Sequence, residues 1–102
     1  MRQGHYRLNV PDEVASTLRS LHPELKRKVK ASLQIILKEP ESGKALKDEL
    51  AGLRSFRIGR FRIIYRVFSE NQIDLVTVGP RLRIYEETYK ILRKELREKT
   101  KK

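Results

Sequence analysis

No cysteine occurs in this chain of 102 residues. That excludes disulfides, thiolate zinc sites and a thiol nucleophile, and it leaves the redox compartment open. Long apolar runs are also missing. Nothing approaches the ~20 residues needed to span a membrane, and no membrane partner is expected. The opening MRQGHYRLNV has no signal-peptide apolar stretch, so the reading is a mature cytoplasmic protein. Histidine is limited to His5, in an N-terminal strand, and His22, at a helix junction. Each reads as a surface or capping residue rather than a catalyst. There is no P-loop, dinucleotide fingerprint or metal-ligand spacing, so neither a cofactor nor a metal is expected. Acid is scarce too: 13 Asp and Glu face 24 Lys and Arg, a formal net charge of +11.

Such a charge attracts polyanions, whether nucleic acid, an anionic membrane surface or an acidic protein. Its distribution narrows the choice. Between Arg54 and Tyr85 lie the arginines 54, 57, 60, 62, 66, 81 and 83, no lysine, and only Glu70 and Asp74 as acids. Lysines gather in the helical parts and in the terminal EKTKK. Lysine is a solvated point charge, whereas arginine offers a planar fork for phosphate and stacks on bases. A blander account also holds at this point, since strands accept the arginine stem well.

The chain reads as one domain over residues 1–102, with 97–102 a frayed basic tail. HYRLNV alternates as a half-buried strand. Pro11, Asp12 and Glu13 start a helix with an apolar stripe of Val14, Leu18 and Leu21. Pro23 restarts the chain into a second helix to about Lys38, with Leu25, Val29, Leu33, Ile36 and Leu37 inward. The short connection makes these two an antiparallel helical hairpin. EPESGK is a loop and ALKDELAGL a short helical or turn segment ending at Gly52. From Arg54 the apolar period becomes two, giving three antiparallel strands with tight turns at Gly59–Arg60 and in SENQ. YEETYKILRKELREK closes the chain as a helix, with Tyr85, Tyr89, Leu92 and Leu96 along one side and Glu86–Glu87 as terminus charges. The fold class is α+β: an N-terminal strand, a helical hairpin packed on one face of a small antiparallel sheet, and a C-terminal helix.

In FRIIYRVF the set Phe61, Ile63, Tyr65, Val67 points one way and Arg62, Ile64, Arg66, Phe68 the other. The first set meets the hairpin. The second belongs to a partly covered face, on which the last helix lays Tyr89, Leu92 and Leu96 over Ile64 and Phe68. The arginines therefore line a face, and Arg57 comes close to Arg62 across the turn.

LAGLRSFRIGRFRIIYRV followed by IDLVTVGPRLRIYE resembles the RelE/ParE superfamily of toxins from type II toxin–antitoxin systems. The family pattern is a Leu–Gly–Leu approach, basic strand residues before a glycine turn, an aromatic–Arg–hydrophobic–hydrophobic–Tyr strand, then Gly–X–Arg and a tyrosine. It falls here in order between Leu50 and Tyr85. The resemblance implies a RelE-like fold and a metal-independent endoribonuclease that cuts mRNA in the ribosomal A site by 2′-hydroxyl attack. It also implies a cognate antitoxin as partner, beside ribosome and mRNA. By the same resemblance Arg62 stabilises the phosphate, Arg81 assists the leaving 5′-oxygen, Tyr85 helps activate the 2′-hydroxyl, and Arg57 supports that activation. Arg54, Arg60, Arg83, Lys26, Lys28 and Lys30 are the candidate RNA and ribosomal-RNA contacts. Pro80 departs from the His or Lys that many members carry beside the arginine.

Such cleavage needs no protein nucleophile, only alignment and charge stabilisation in the transition state. Arginine stays protonated, so Arg81 acts by stabilising charge rather than as a full acid. The arginines also favour the ionised form of a neighbouring tyrosine. Structural alternatives stand beside each assignment. Tyr85 also reads as a core or hinge tyrosine packing the last helix, and Arg62 as a cross-strand partner of Asp74 or part of a sheet-face salt bridge, but their joint occurrence with Gly79–Pro80–Arg81 favours the site. Two other functions stay open: a ParE-like inhibitor of DNA gyrase, and a catalytically silent member acting with its antitoxin on operator DNA.

Overall fold

The computed structural model describes residues 6–100, with the side chains of residues 81–83, 99 and 100 outside the description. The elements are β1 (Arg7–Asn9), α1 (Asp12–Arg19), α2 (Pro23–Lys38), β2 (Lys44–Ala45), β3 (Arg54–Ile58), β4 (Phe61–Ser69), β5 (Gln72–Pro80) and α3 (Arg81–Thr100). Single 3-10 turns at Pro40–Ser42 and Asp48–Leu50 flank β2. The strands form one sheet in the order β1-β5-β4-β3-β2. The sheet is mixed rather than wholly antiparallel, because β1 runs parallel to β5, pairing Leu8 with Ile73.

Both hairpin helices start as their sequences dictate. Asp12 and Glu13 occupy the first turn of α1, where the positive end of the helix dipole favours acids. In α2 the His22 ring accepts the Glu24 backbone N–H at 3.2 Å and Pro23 stands in the first turn, so His22 is a capping residue. His5 lies outside the described residues. Val14, Val29 and Ile36 of the hairpin bury against Ile63, Tyr65, Ile73, Leu75 and Val78 of the sheet. Tyr65 and these aliphatics are 7% exposed or less, so this face carries most of the apolar burial that stabilises the fold.

The opposite face is covered more fully than its mixed composition indicates. Leu53, Ile64 and Val76 pack against Ile84, with Tyr85, Ile91 and Leu92 around them, so α3 forms a second core. The helix begins at Arg81, one turn before the tyrosine at which the sequence pattern starts, and it continues to Thr100 through part of the expected frayed tail. Its inward residues are Ile84, Tyr85, Thr88, Ile91 and Leu92, while Tyr89 and Leu96 are exposed at 40% and 63%. The expected Tyr89–Leu96 stripe is thus rotated outward, Phe68 remains 63% exposed, and α3 covers Ile64 alone of that pair. Glu86 and Glu87 are exposed residues of the second turn rather than of the helix terminus.

A bulge aligns the two cores. Ile64 pairs with Thr77 and Tyr65 with Leu75, leaving Val76 as an extra residue on β5. That residue reverses the alternation of β5 at this point, so Leu75 and Val78 both reach the hairpin core while Val76 reaches the α3 core.

Candidate functional site

The β3–β4 hairpin builds the site. Its two-residue turn, with Gly59 at a φ of 62°, sets the register so that Arg57 stands directly opposite Arg62. On its other side Arg62 pairs with Gly79, which offers no side chain to cover it. Like charges placed opposite each other in a sheet destabilise it unless an anion or an acid intervenes. Among the described residues no carboxylate lies within ion-pair distance of either arginine. Arg62 instead donates from Nη1 to the Ser55 hydroxyl at 3.2 Å, and its guanidinium carbon lies 5.7 Å from the centre of the Tyr85 ring. The Tyr85 hydroxyl reaches the same Ser55 oxygen at 3.5 Å. Arg62 Nε is buried without a hydrogen-bond partner.

These groups border an open cleft of about 600 Å³ whose lining includes Lys44, Ser55, Arg57, Arg62 and Tyr85 and, among the described residues, no carboxylate. A half-buried guanidinium with unused donors, a second one opposite and a phenol beside it suit a phosphodiester: bidentate donors for the oxygens and a hydroxyl near the sugar.

Arg66, four residues from Arg62 on the same face, has the opposite fate. It faces Asp74 at 3.7 Å and Glu95 of α3 at 3.8 Å. The cross-strand carboxylate that Arg62 was a candidate to pair with is therefore taken by Arg66. The Tyr85 ring packs in the α3 core, as its structural reading expects, while its hydroxyl faces the cleft.

The other sequence-predicted residues are dispersed. Arg81 and Arg83 belong to the first turn of α3, directly after the β5 end that pairs with Phe61 and Arg62, and their side chains lie outside the described residues. Arg60 is exposed in the turn. Arg54 pairs with Tyr65, on the hairpin side of the sheet, and donates from Nη1 to the carbonyls of Gly43 at 2.6 Å and Glu41 at 3.3 Å. Lys26, Lys28 and Lys30 are exposed on α2, also on the hairpin side, where Lys26 donates to the Arg19 carbonyl at 3.0 Å. The structure brings Arg57, Arg62 and Tyr85 together; Arg54 and the α2 lysines stand across the sheet from them.

Two lining residues, Ser55 and Lys44, escaped sequence reasoning. Ser55 is 3% exposed and joins Arg62 to Tyr85. Its signal was a small polar residue alternating with Arg57 on the face that carries Arg62. Lys44 enters from the short edge strand β2, where it pairs with Ser55.

Architecture and cleft define a small α+β protein with a cationic site on its sheet, and solved structures share that architecture. The chain is similar to the RelBE2 toxin–antitoxin complex from Mycobacterium tuberculosis, at 28% identity and a TM-score of 0.65, over 74% of this chain and 98% of that one. It is similar to the archaeal RelE–RelB complex of Pyrococcus horikoshii, at 29% identity and a TM-score of 0.63, over 78% and 98% of the two chains. A mutant of the Escherichia coli toxin RelE in the free state shares the fold with a TM-score of 0.70 at 18% identity, over 89% and 97%. Among curated proteins none matches the sequence. Residues 12–85 match the family described as ParE toxin of type II toxin–antitoxin systems, and the chain belongs to that family.

Proposed function

We propose that this protein is a toxin that cleaves mRNA in the ribosomal A site, acts in the cytoplasm and is neutralised by a cognate antitoxin. The observation that carries the reading is Arg62: a guanidinium without a carboxylate among the described residues, opposite Arg57 and joined through Ser55 to the hydroxyl of Tyr85. In the reaction the RNA 2′-oxygen bonds to phosphorus as the bond to the 5′-oxygen breaks, leaving a cyclic phosphate. Arg62 and Arg57 hold the non-bridging oxygens as their charge grows, where fixed donors contribute most. Tyr85 helps take the 2′-hydroxyl proton, and Arg81 stabilises the leaving 5′-oxygen. No metal is required in this scheme. Arg60 and Arg83 extend the RNA contact, while Arg54, Lys26, Lys28 and Lys30 meet ribosomal RNA from the hairpin side. The antitoxin is supported by the similar M. tuberculosis and P. horikoshii structures, which are toxin–antitoxin complexes, and the charge of +11 favours an acidic partner.

The family match favours a second reading, a gyrase inhibitor using the same basic surface. Pro80 beside Arg81 leaves a third, a silent member that acts with its antitoxin on operator DNA. In vitro translation with purified ribosomes and a defined mRNA separates them, through mapping of 5′ ends with and without the protein. The expected result is discrete A-site cuts that disappear in Arg62→Ala and Arg81→Ala while both variants stay folded. Intact mRNA in the presence of folded wild-type protein would overturn the nuclease, and a supercoiling assay then decides between the other two.

A further inference from the structure

β2 is two residues long, and both are exposed. Burial therefore contributes almost nothing to holding it in the sheet, and an isolated pairing of this length is unstable in water. Yet the segment Pro40–Ala45 is fastened from below by core residues. The Tyr65 hydroxyl, in a fully buried side chain, donates to the Pro40 carbonyl at 2.6 Å and accepts the Gly43 N–H at 2.9 Å. Arg54 donates to the carbonyls of Gly43 and Glu41 from the same side. The fit is close enough to exclude a side chain at residue 43: a Cβ there would lie 2.6 Å from the Tyr65 hydroxyl and 3.1 Å from the Ser55 carbonyl. These anchors fix the direction of one outward side chain. Lys44 pairs with Ser55, so both project from the same face of the sheet, the face on which Ser55 meets Arg62 and Tyr85. Lys44 accordingly lines the same cleft as Arg57 and Arg62.

We propose that Lys44 is a third phosphate-binding cation of this site, and that Tyr65 and Gly43 are positioning residues acting through it. The inference rests on the reading of the cleft as an RNA-backbone site. An RNA strand carries one phosphate per nucleotide, and a cation on β2 in the same cleft extends the Arg57–Arg62 pair along that backbone. Lysine on an edge strand also serves simply to block edge-to-edge pairing. That role needs only exposure, and it gives no reason for a buried tyrosine, a half-buried arginine and an obligatory glycine to hold the strand.

The test uses a short RNA oligonucleotide 2′-O-methylated throughout, which cannot be cut, with anisotropy titrations at several salt concentrations. Lys44→Met is expected to weaken binding about tenfold and to reduce the slope of log K against log salt by about 0.7, the value for one phosphate contact on a single strand. Lys44→Arg should retain most of the affinity. Lys47→Met, the same charge change outside the cleft, should leave it unaltered. Tyr65→Phe should weaken binding in the wild-type background but not further in Lys44→Met, while thermal melts show its destabilisation in both. Lys44→Met binding like wild type, an equal loss in Lys47→Met, or additive losses for Lys44 and Tyr65 would each overturn the proposal. The ribosomal assay keeps the two readings apart. Oligonucleotide binding through Lys44 without mRNA cleavage would remove the nuclease alone, whereas cleavage indifferent to Lys44→Met would remove Lys44 alone.

Discussion

Arg62 and Arg66 give a matched pair for testing whether a guanidinium belongs to a ligand site or to the fold. They sit four residues apart on β4, face the same side, and each buries an Nε without a partner, so that cost cancels between them. What differs is the far end of each group. Replacing Arg66 by methionine removes contacts of 3.7 and 3.8 Å to Asp74 and Glu95. Partly exposed pairs contribute about 0.2–1 kcal/mol each. The Asp74 side chain, 12% exposed, would keep only its bonds from Asn9 and Gln72. The combined loss is about 1–2 kcal/mol, or roughly 5–15 °C in Tm for a domain of this size. Replacing Arg62 by methionine removes one hydrogen bond, about 1 kcal/mol, and a weak ring contact of about 0.5 kcal/mol. It also relieves the cross-strand repulsion from Arg57, which offsets part of that loss, so the net change is about 0.5–1 kcal/mol and smaller than at Arg66. Thermal melts with and without inorganic phosphate read both effects. A site with a Kd of about 1 mM would gain about 1.4 kcal/mol in 10 mM phosphate. Wild type and Arg66→Met should show that gain and Arg62→Met should not. Arg62→Met melting as low as Arg66→Met, or keeping the phosphate shift, would refute the assignment of Arg62 to a ligand.

Tyr65→Phe should cost about 1–3 kcal/mol, because the Pro40 carbonyl and Gly43 N–H lose a buried partner. Burial raises the Tyr65 pKa above its ordinary 10.0, partly offset by the Gly43 N–H, Ser42 and Arg54. The stability linked to that raised value is fully present below pH 10 and is lost as pH climbs through the folded pKa. The Tm difference between wild type and Tyr65→Phe should therefore stay constant up to about pH 10 and shrink above it, and a difference that widens there would contradict the burial argument. Gly43→Ala should lower Tm and loosen the Pro40–Ala45 segment, read as faster amide exchange at Lys44 and Ala45; unchanged exchange would show that the loop can yield without cost.

The alternation of FRIIYRVF was legible because one of its faces is wholly apolar, and the Gly59–Arg60 turn brought Arg57 to Arg62. Which of two arginines takes Asp74 depends on the β4–β5 register, and a bulge at Val76 shifts that register with no marker in IDLVTVG. The parallel pairing of β1 has no local signal either, since its partner lies some 65 residues away. In α3 the tyrosines drew the apolar stripe one position outward, whereas the inward line includes Thr88, whose hydroxyl is satisfied by the Ile84 carbonyl at 2.6 Å. Lys44 was hidden for a similar reason. Its placement comes from the hydroxyl of a tyrosine on the other side of the sheet, 22 residues from Gly43.

The order of elements along the chain bears on when the molecule becomes harmful to its maker. In the sheet the first strand waits for the fifth, and the second core waits for α3, which follows all five strands in the chain. Pairings this distant in sequence form late, after the closure of a long intervening loop. A growing chain on the ribosome thus carries Lys44, Arg57 and Arg62 well before it carries Tyr85, and until α3 packs it cannot seat the tyrosine beside them. Assembly of the cleft therefore waits until all five strands and α3 have left the ribosome, and a partial chain carries the cations without the tyrosine hydroxyl that faces them.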